Sequence, residues 1–132
     1  MEKRQLMENK TCFCDTGLWF DDCCGLYLKN NQKAPTALAL MRSRYSAYAT
    51  HNAEYLFETT HVSERAYYSK EEILKWATSN KWQKLEILSS SEETVEFKAF
   101  FIDLNGKPQI HYEFSTFKFE KGSWYYVDGK FE

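Results

Sequence analysis

Gln109-Ile110-His111-Tyr112-Glu113-Phe114-Ser115-Thr116-Phe117-Lys118-Phe119-Glu120 alternates in character at every second position. A strand turns successive side chains to opposite faces. His111, Glu113, Ser115, Phe117 and Phe119 therefore share one face, and Ile110, Tyr112, Phe114 and Thr116 share the other. A face that mixes His, Glu and Ser with phenylalanine suits the half-polar floor of a cavity. It equally suits solvent-facing residues on an edge strand, since strand faces often mix types. The residues alone leave both readings open.

The same period holds on either side. Lys121-Gly122-Ser123 reads as a turn, followed by a last strand from Trp124 to Val127. Upstream, Asp103-Leu104-Asn105-Gly106 carries an Asn-Gly pair, which favours a hairpin because both residues tolerate positive φ. Val95, Phe97, Ala99 and Phe101 alternate with Glu96 and Lys98, and Leu85 and Ile87 with Lys84 and Glu86. Before Lys81 the period is helical. Leu38, Met41, Tyr45 and Tyr48 recur at steps of three and four, giving one apolar stripe behind an N-cap at Thr36. A short helix is expected over Ala53 to Glu58. Another runs from Lys70 to about Asn80, opened by Ser69 and Glu72 in capping-box spacing. Helices followed by a run of antiparallel strands predict an α+β fold, with the helices packed on one face of a curved sheet.

The polar linker Leu28 to Pro35 sets a boundary between residues 1–34 and 35–132. Ahead of it only Phe13, Leu18, Trp19, Phe20, Leu26 and Tyr27 are core material, too little to fold without a cross-link. Cys12, Cys14, Cys23 and Cys24 supply one: C-x-C, eight residues, then C-C. This spacing suits one zinc ion per chain held by four thiolates at about 2.3 Å, with Gly17 making the tight turn. The alternatives are two disulfides or four unrelated buried thiols. Met1 to Lys10 lacks the apolar stretch of a signal peptide, and no later segment has the length of a membrane span. A cytoplasmic, reducing location is expected, and it disfavours disulfides. Iron also accepts four thiolates, so the metal's presence is better specified than its identity. A four-cysteine site leaves no open coordination position and is structural.

At 132 residues the chain is a single domain, or a domain with a small appendage. Aromatic residues make up 17%, enough to pack tightly or to enclose a cavity. The net charge of -2, with Asp15, Asp21 and Asp22 in the cysteine segment and no Lys or Arg between Cys12 and Cys24, argues against nucleic acid as a partner. Arg42 and Arg44 lie about 200° apart on the first helix. One is expected in solvent; the other pairs with Glu113 or Asp128, or meets an anionic ligand. His61, after the second helix, is expected to cap or line the same cavity as His111 and Glu113.

Cys12-Phe13-Cys14-Asp15-Thr16-Gly17 with Cys23-Cys24-Gly25 resembles the SEC-C motif, a zinc-binding knuckle found also at the C-terminus of the SecA translocation ATPase. The remainder resembles the YchJ family through Met41-Arg42-Ser43-Arg44-Tyr45, Thr60-His61, His111-x-Glu113-x-Ser115-x-Phe117 and Trp124-Tyr125-Tyr126-Val127-Asp128-Gly129. That resemblance implies a cone-like, nuclear-transport-factor-2-like domain joined to the knuckle. Two features depart from the SEC-C pattern: Phe13 stands where proline is usual, and Leu18-Trp19-Phe20-Asp21-Asp22 where many members are lysine-rich. Trp19 and Phe20 are expected to dock the knuckle on its neighbour. Without a nucleophile elbow, phosphate loop or His-rich cluster, the preferred function is a binding or adaptor protein for a small molecule or protein partner. The alternative is a hydrolase or isomerase using His61, His111 and Glu113. Arg42, Arg44, Tyr45 and Ser115 complete the candidate pocket.

Overall fold

A computed structural model describes residues 11–131. Met1 to Lys10, the segment expected not to be a signal peptide, lies outside the described residues. Among the described residues four α-helices and two short 3-10 turns (Phe20–Asp22 and Val62–Tyr67) precede four strands: α1 (Gly25–Leu28), α2 (Ala37–Ala49), α3 (Ala53–Glu58), α4 (Lys70–Ser79), then β1 (Lys81–Ser90), β2 (Thr94–Ile102), β3 (Pro108–Glu120) and β4 (Ser123–Phe131). The strands form one antiparallel sheet in the order β1-β2-β3-β4. No helix among the described residues is long and apolar enough to cross a membrane.

The local chemistry accounts for most boundaries. Thr36 Oγ1 accepts from the Ala39 N–H at 3.0 Å and starts α2. Ser69 Oγ accepts from the Glu72 N–H at 3.1 Å and starts α4. The β3–β4 hairpin turns on Lys121 and Gly122, with φ of 52° and 82°, the two positive values that a two-residue turn requires. At the β2–β3 turn only Gly106 of the Asn-Gly pair has positive φ. There Asp103 Oδ1 organises the loop instead, accepting the N–H groups of Asn105 and Lys107. The last strand continues past Val127 to Phe131, because β3 is long enough to offer partners as far as Glu113↔Phe131.

One face of the sheet carries the core. Along β2 burial alternates without a break, with Val95, Phe97, Ala99 and Phe101 all inside. Helix α2 lies across this face, and it is not the simple amphipathic helix that its stripe predicts. Met41 and Tyr45 are buried, but so are Leu40, Ser43, Arg44, Ser46 and Ala47. The cause is contact on further sides: Ser46 meets Cys12 of the cysteine segment at 3.6 Å, while Ser43 meets Tyr55 at 2.6 Å and Arg44 the Leu56 carbonyl at 2.9 Å, both on α3.

Candidate functional site

The cysteine segment folds back through Gly17, whose φ is 87°, and Thr11 bridges to Trp19. The four sulfur atoms of Cys12, Cys14, Cys23 and Cys24 then all lie within 4.8 Å of one another. Cys14 and Cys23 Sγ are 3.6 Å apart. Four sulfurs placed tetrahedrally at 2.3 Å from a common ion would stand about 3.8 Å apart, so the cluster is shaped to hold one. Its electrostatics point the same way. Hydrogen bonds from Cys14 and Cys24 pull Cys12 below the ordinary thiol range. The shared bond with Cys12 in turn pushes Cys14 up to about 11, and Cys24 is raised by the same contacts. One thiolate forms readily and then opposes the others, unless a cation sits among all four.

Residues around the cluster orient it. Ser46 Oγ lies 3.6 Å from Cys12 Sγ, and Thr16 Oγ1 lies 3.3 Å from Cys23 Sγ. Both hydroxyls are placed to donate to a thiolate. Arg42 donates from Nη1 to the Cys14 carbonyl at 2.8 Å, and Asp15 Oδ2 accepts the Leu85 N–H of β1 at 2.8 Å. The cysteine segment is thus tied to both α2 and the edge strand. Phe20 packs on the core and on Phe13 at 5.7 Å. Trp19 does not dock; it is exposed.

On the other side of α2, between helix and sheet, lies a cavity of about 240 Å³. Met41, Tyr45, Trp76, Trp82, Phe97 and Ala99 form its apolar walls; Arg44, Tyr48, Tyr68, His111, Glu113 and Tyr126 supply polar groups. Trp76 meets Trp82 and Phe101 edge-on at 6.2 and 5.6 Å, an aromatic corner contributed by α4.

Glu113 is the centre of the polar floor. Its Oε1 lies 2.9 Å from His111 Nε2. Its Oε2 accepts from Ser115 Oγ at 2.6 Å and from the Tyr126 hydroxyl at 2.8 Å. Burial opposes the anion, but hydrogen bonds from His111, Ser115 and Tyr126 outweigh it and hold the carboxyl below its ordinary value. Burial and the neighbouring Glu113 charge raise Tyr126, which stays a donor. This geometry depends on a bulge. Thr116 pairs with Asp128 and Phe117 with Tyr126, leaving Val127 as the extra residue. The bulge puts Tyr126 and Gly129 on one face although their spacing is odd. Gly129 leaves room for the carboxylate, since a Cβ there would stand 2.0 Å from Glu113 Oε2.

Of the residues singled out in the sequence, Arg44, Tyr45, His111 and Glu113 border the cavity. Ser115 lies wholly buried below it, acting only through Glu113. His61 is elsewhere. Its Nδ1 accepts the Ser63 N–H at 3.1 Å, and its Nε2 therefore carries the proton donated to Glu120 Oε1 at 2.9 Å. It caps the helical turn Val62–Tyr67. Neither arginine is free in solvent or paired with Glu113 or Asp128. Arg42 turns to the cysteine segment, while Arg44 Nη1 donates to the Leu56 carbonyl at 2.9 Å and to Thr59 Oγ1 at 2.8 Å. Phe119 leaves the floor for the strand end, where it packs on Trp124 at 5.3 Å. Trp76, Trp82, Tyr126 and Gly129 were missed as site residues. A glycine inside a strand was the available signal for the last, because it marks a bulge or a close approach.

A cysteine cluster shaped for a metal, fastened to a helix-covered sheet that encloses a polar-floored cavity, defines a two-part α+β protein. Residues 36–129 match the family described as "YchJ, middle NTF2-like domain"; the chain belongs to the YchJ family. It is 37% identical over 125 residues to a UPF0225 protein of Geobacter sulfurreducens, covering 89% of this chain and 77% of that protein. It is 40% identical over 124 residues to one of Enterobacter sp. strain 638, covering 89% and 81%. Among solved structures it is similar to a SEC-C motif containing protein from Rhodopseudomonas palustris, with TM-score 0.82, 36% identity, and 90% and 96% of the two chains covered. It is also similar to a sec-c motif containing protein from Psychrobacter arcticus, with TM-score 0.79, 34% identity, and 93% and 83% covered.

Proposed function

We propose that the chain is a small-molecule-binding protein whose cavity is the functional site and whose zinc knuckle is a structural staple for α2. The observation that carries the reading is the floor of the cavity. A buried carboxylate with three donors already in place is fixed before any ligand arrives, which keeps the cost of ordering the site low. At about 30 Å³ per water, the cavity holds about eight waters, or a ligand with one ring and a polar group. Zinc is the ion that four thiolates select most simply. Thiols kept reduced fit a cytoplasmic location, with small molecules or a protein, rather than nucleic acid or membrane, as partners.

The test is a panel of single-ring compounds added to the metal-loaded chain, read by amide chemical shifts. Shifts clustered on Trp76, Trp82, Ala99 and His111 support the reading. Shifts confined to the outer sheet face, or none across the panel, refute it.

One observation favours a second reading, an enzyme of the hydrolase or isomerase type. His111 Nε2 is held by Glu113, while Nδ1 makes no hydrogen bond with a described residue and is free to take a proton from a bound molecule. Exchange of a ligand's acidic C–H for deuterium, dependent on His111, would support it. Exchange unchanged in His111→Ala would exclude it.

A further inference from the structure

Arg44 has no counter-ion among the described residues. It is 7% exposed, and an arginine so buried is ordinarily paired with a carboxylate. Its hydrogen bonds leave from Nη1 alone, to Leu56, Thr59 and, at 3.4 Å, Thr60. All three acceptors are neutral. The nearest buried acid, Glu113, is already satisfied by His111, Ser115 and Tyr126. The Tyr126 ring stands between them: the guanidinium carbon lies 4.5 Å from the ring centroid, and the hydroxyl of that ring faces Glu113. No buried side-chain nitrogen or oxygen among the described residues lacks a partner. The remaining guanidinium N–H groups must therefore reach open space, and the space that Arg44 borders is the cavity. Tyr48, on the same wall, also has a hydroxyl with no hydrogen-bond partner among the described residues, in the field of Arg44.

We infer that Arg44, with the Tyr48 hydroxyl, is an anion subsite, and that the cavity takes a small organic carboxylate whose apolar ring lies against Trp76 and Trp82. This rests on the cavity being the binding site and adds the charge of the ligand. The fixed planar donors of a guanidinium match a carboxylate. Glu113, across the Tyr126 ring from Arg44, is already satisfied and disfavours a second anion, so the ligand carries one acidic group. The apolar walls leave no further cation for a phosphate ester or a dicarboxylate.

The test compares benzoate with benzyl alcohol on the metal-loaded full chain by calorimetry and amide shifts. Benzoate is expected to bind about tenfold to a hundredfold more tightly, the value of one charge-assisted contact. Arg44→Met should remove that preference while leaving benzyl alcohol binding in place. Because Arg44 also supports the end of α3, Tyr48→Phe is the second variant, expected to cut benzoate affinity several-fold and benzyl alcohol affinity hardly at all. Equal affinity for the two probes overturns the anion subsite and leaves the cavity reading intact. Binding of neither overturns both.

Discussion

Gly129→Ala is expected to reverse the sign that a glycine substitution in a strand ordinarily has. Gly129 lacks positive φ, so alanine meets no backbone strain there. In an open strand position the change would stabilise by about 0.5–1 kcal/mol. Here the new Cβ would stand 2.0 Å from Glu113 Oε2, 2.5 Å from its carboxyl carbon and 2.7 Å from Cγ. The carboxylate cannot stay, and leaving removes the acceptor of Ser115, Tyr126 and His111 together. Overpacking of about 1–3 kcal/mol and the loss of hydrogen bonds to a charged group, about 1.5–3 kcal/mol, outweigh the gain. The net cost is about 2–4 kcal/mol. For a chain of this length a cost of 1 kcal/mol lowers Tm by about 3–5 °C. Denaturant unfolding of Gly129→Ala, Glu113→Ala and the double variant gives the decisive comparison. With Glu113 already truncated, Gly129→Ala should be neutral or stabilising, so the two changes should be strongly non-additive. A neutral or stabilising Gly129→Ala in the wild-type background would refute the placement of the carboxylate.

Glu113 also predicts an acid-side loss of stability. Its folded value lies below the unfolded one, so its contribution is complete above the unfolded value of about 4.3 and is lost as pH falls through the lower folded value. Glu113→Gln should flatten the stability profile below about pH 4.3 relative to wild type; parallel profiles would contradict this. Cys24→Ser should abolish stoichiometric metal, measured by elemental analysis, and release the remaining thiols to a thiol reagent; full metal content would contradict the four-thiolate site. A fragment beginning at Pro35 contains every strand and the helices α2 to α4. It should still unfold cooperatively but at lower denaturant, because the Arg42–Cys14 and Asp15–Leu85 hydrogen bonds are gone; a fragment without a cooperative transition would move the boundary.

The sequence made the sheet legible because its period is strict: β2 and the central part of β3 alternate in fact as they do in type. The cysteine cluster was legible because four thiols at that spacing have few other uses. What stayed hidden depends on long-range contacts. Arg42 and Arg44 carry no mark of the surfaces they meet, one the cysteine segment and the other the end of α3. His61 adjoins Thr60 in sequence, but the pairing of Thr60 with Tyr126 at the sheet edge directs its ring away from the cavity. Tyr126 was out of reach because one bulged residue, Val127, shifts the face of everything before it, and strict alternation gives no warning of that.

The binding reading is tested most directly by calorimetric titration of benzoate into the metal-loaded wild type and into Ala99→Leu. Ala99 is 4% exposed and borders the cavity, so the larger side chain projects into the space that a ligand would occupy. The account predicts saturable binding of one benzoate per chain in the wild type and binding weakened by about tenfold or more in Ala99→Leu, with both proteins folded. Benzoate binding that survives unchanged in Ala99→Leu, or a wild type that binds neither benzoate nor benzyl alcohol, would contradict it.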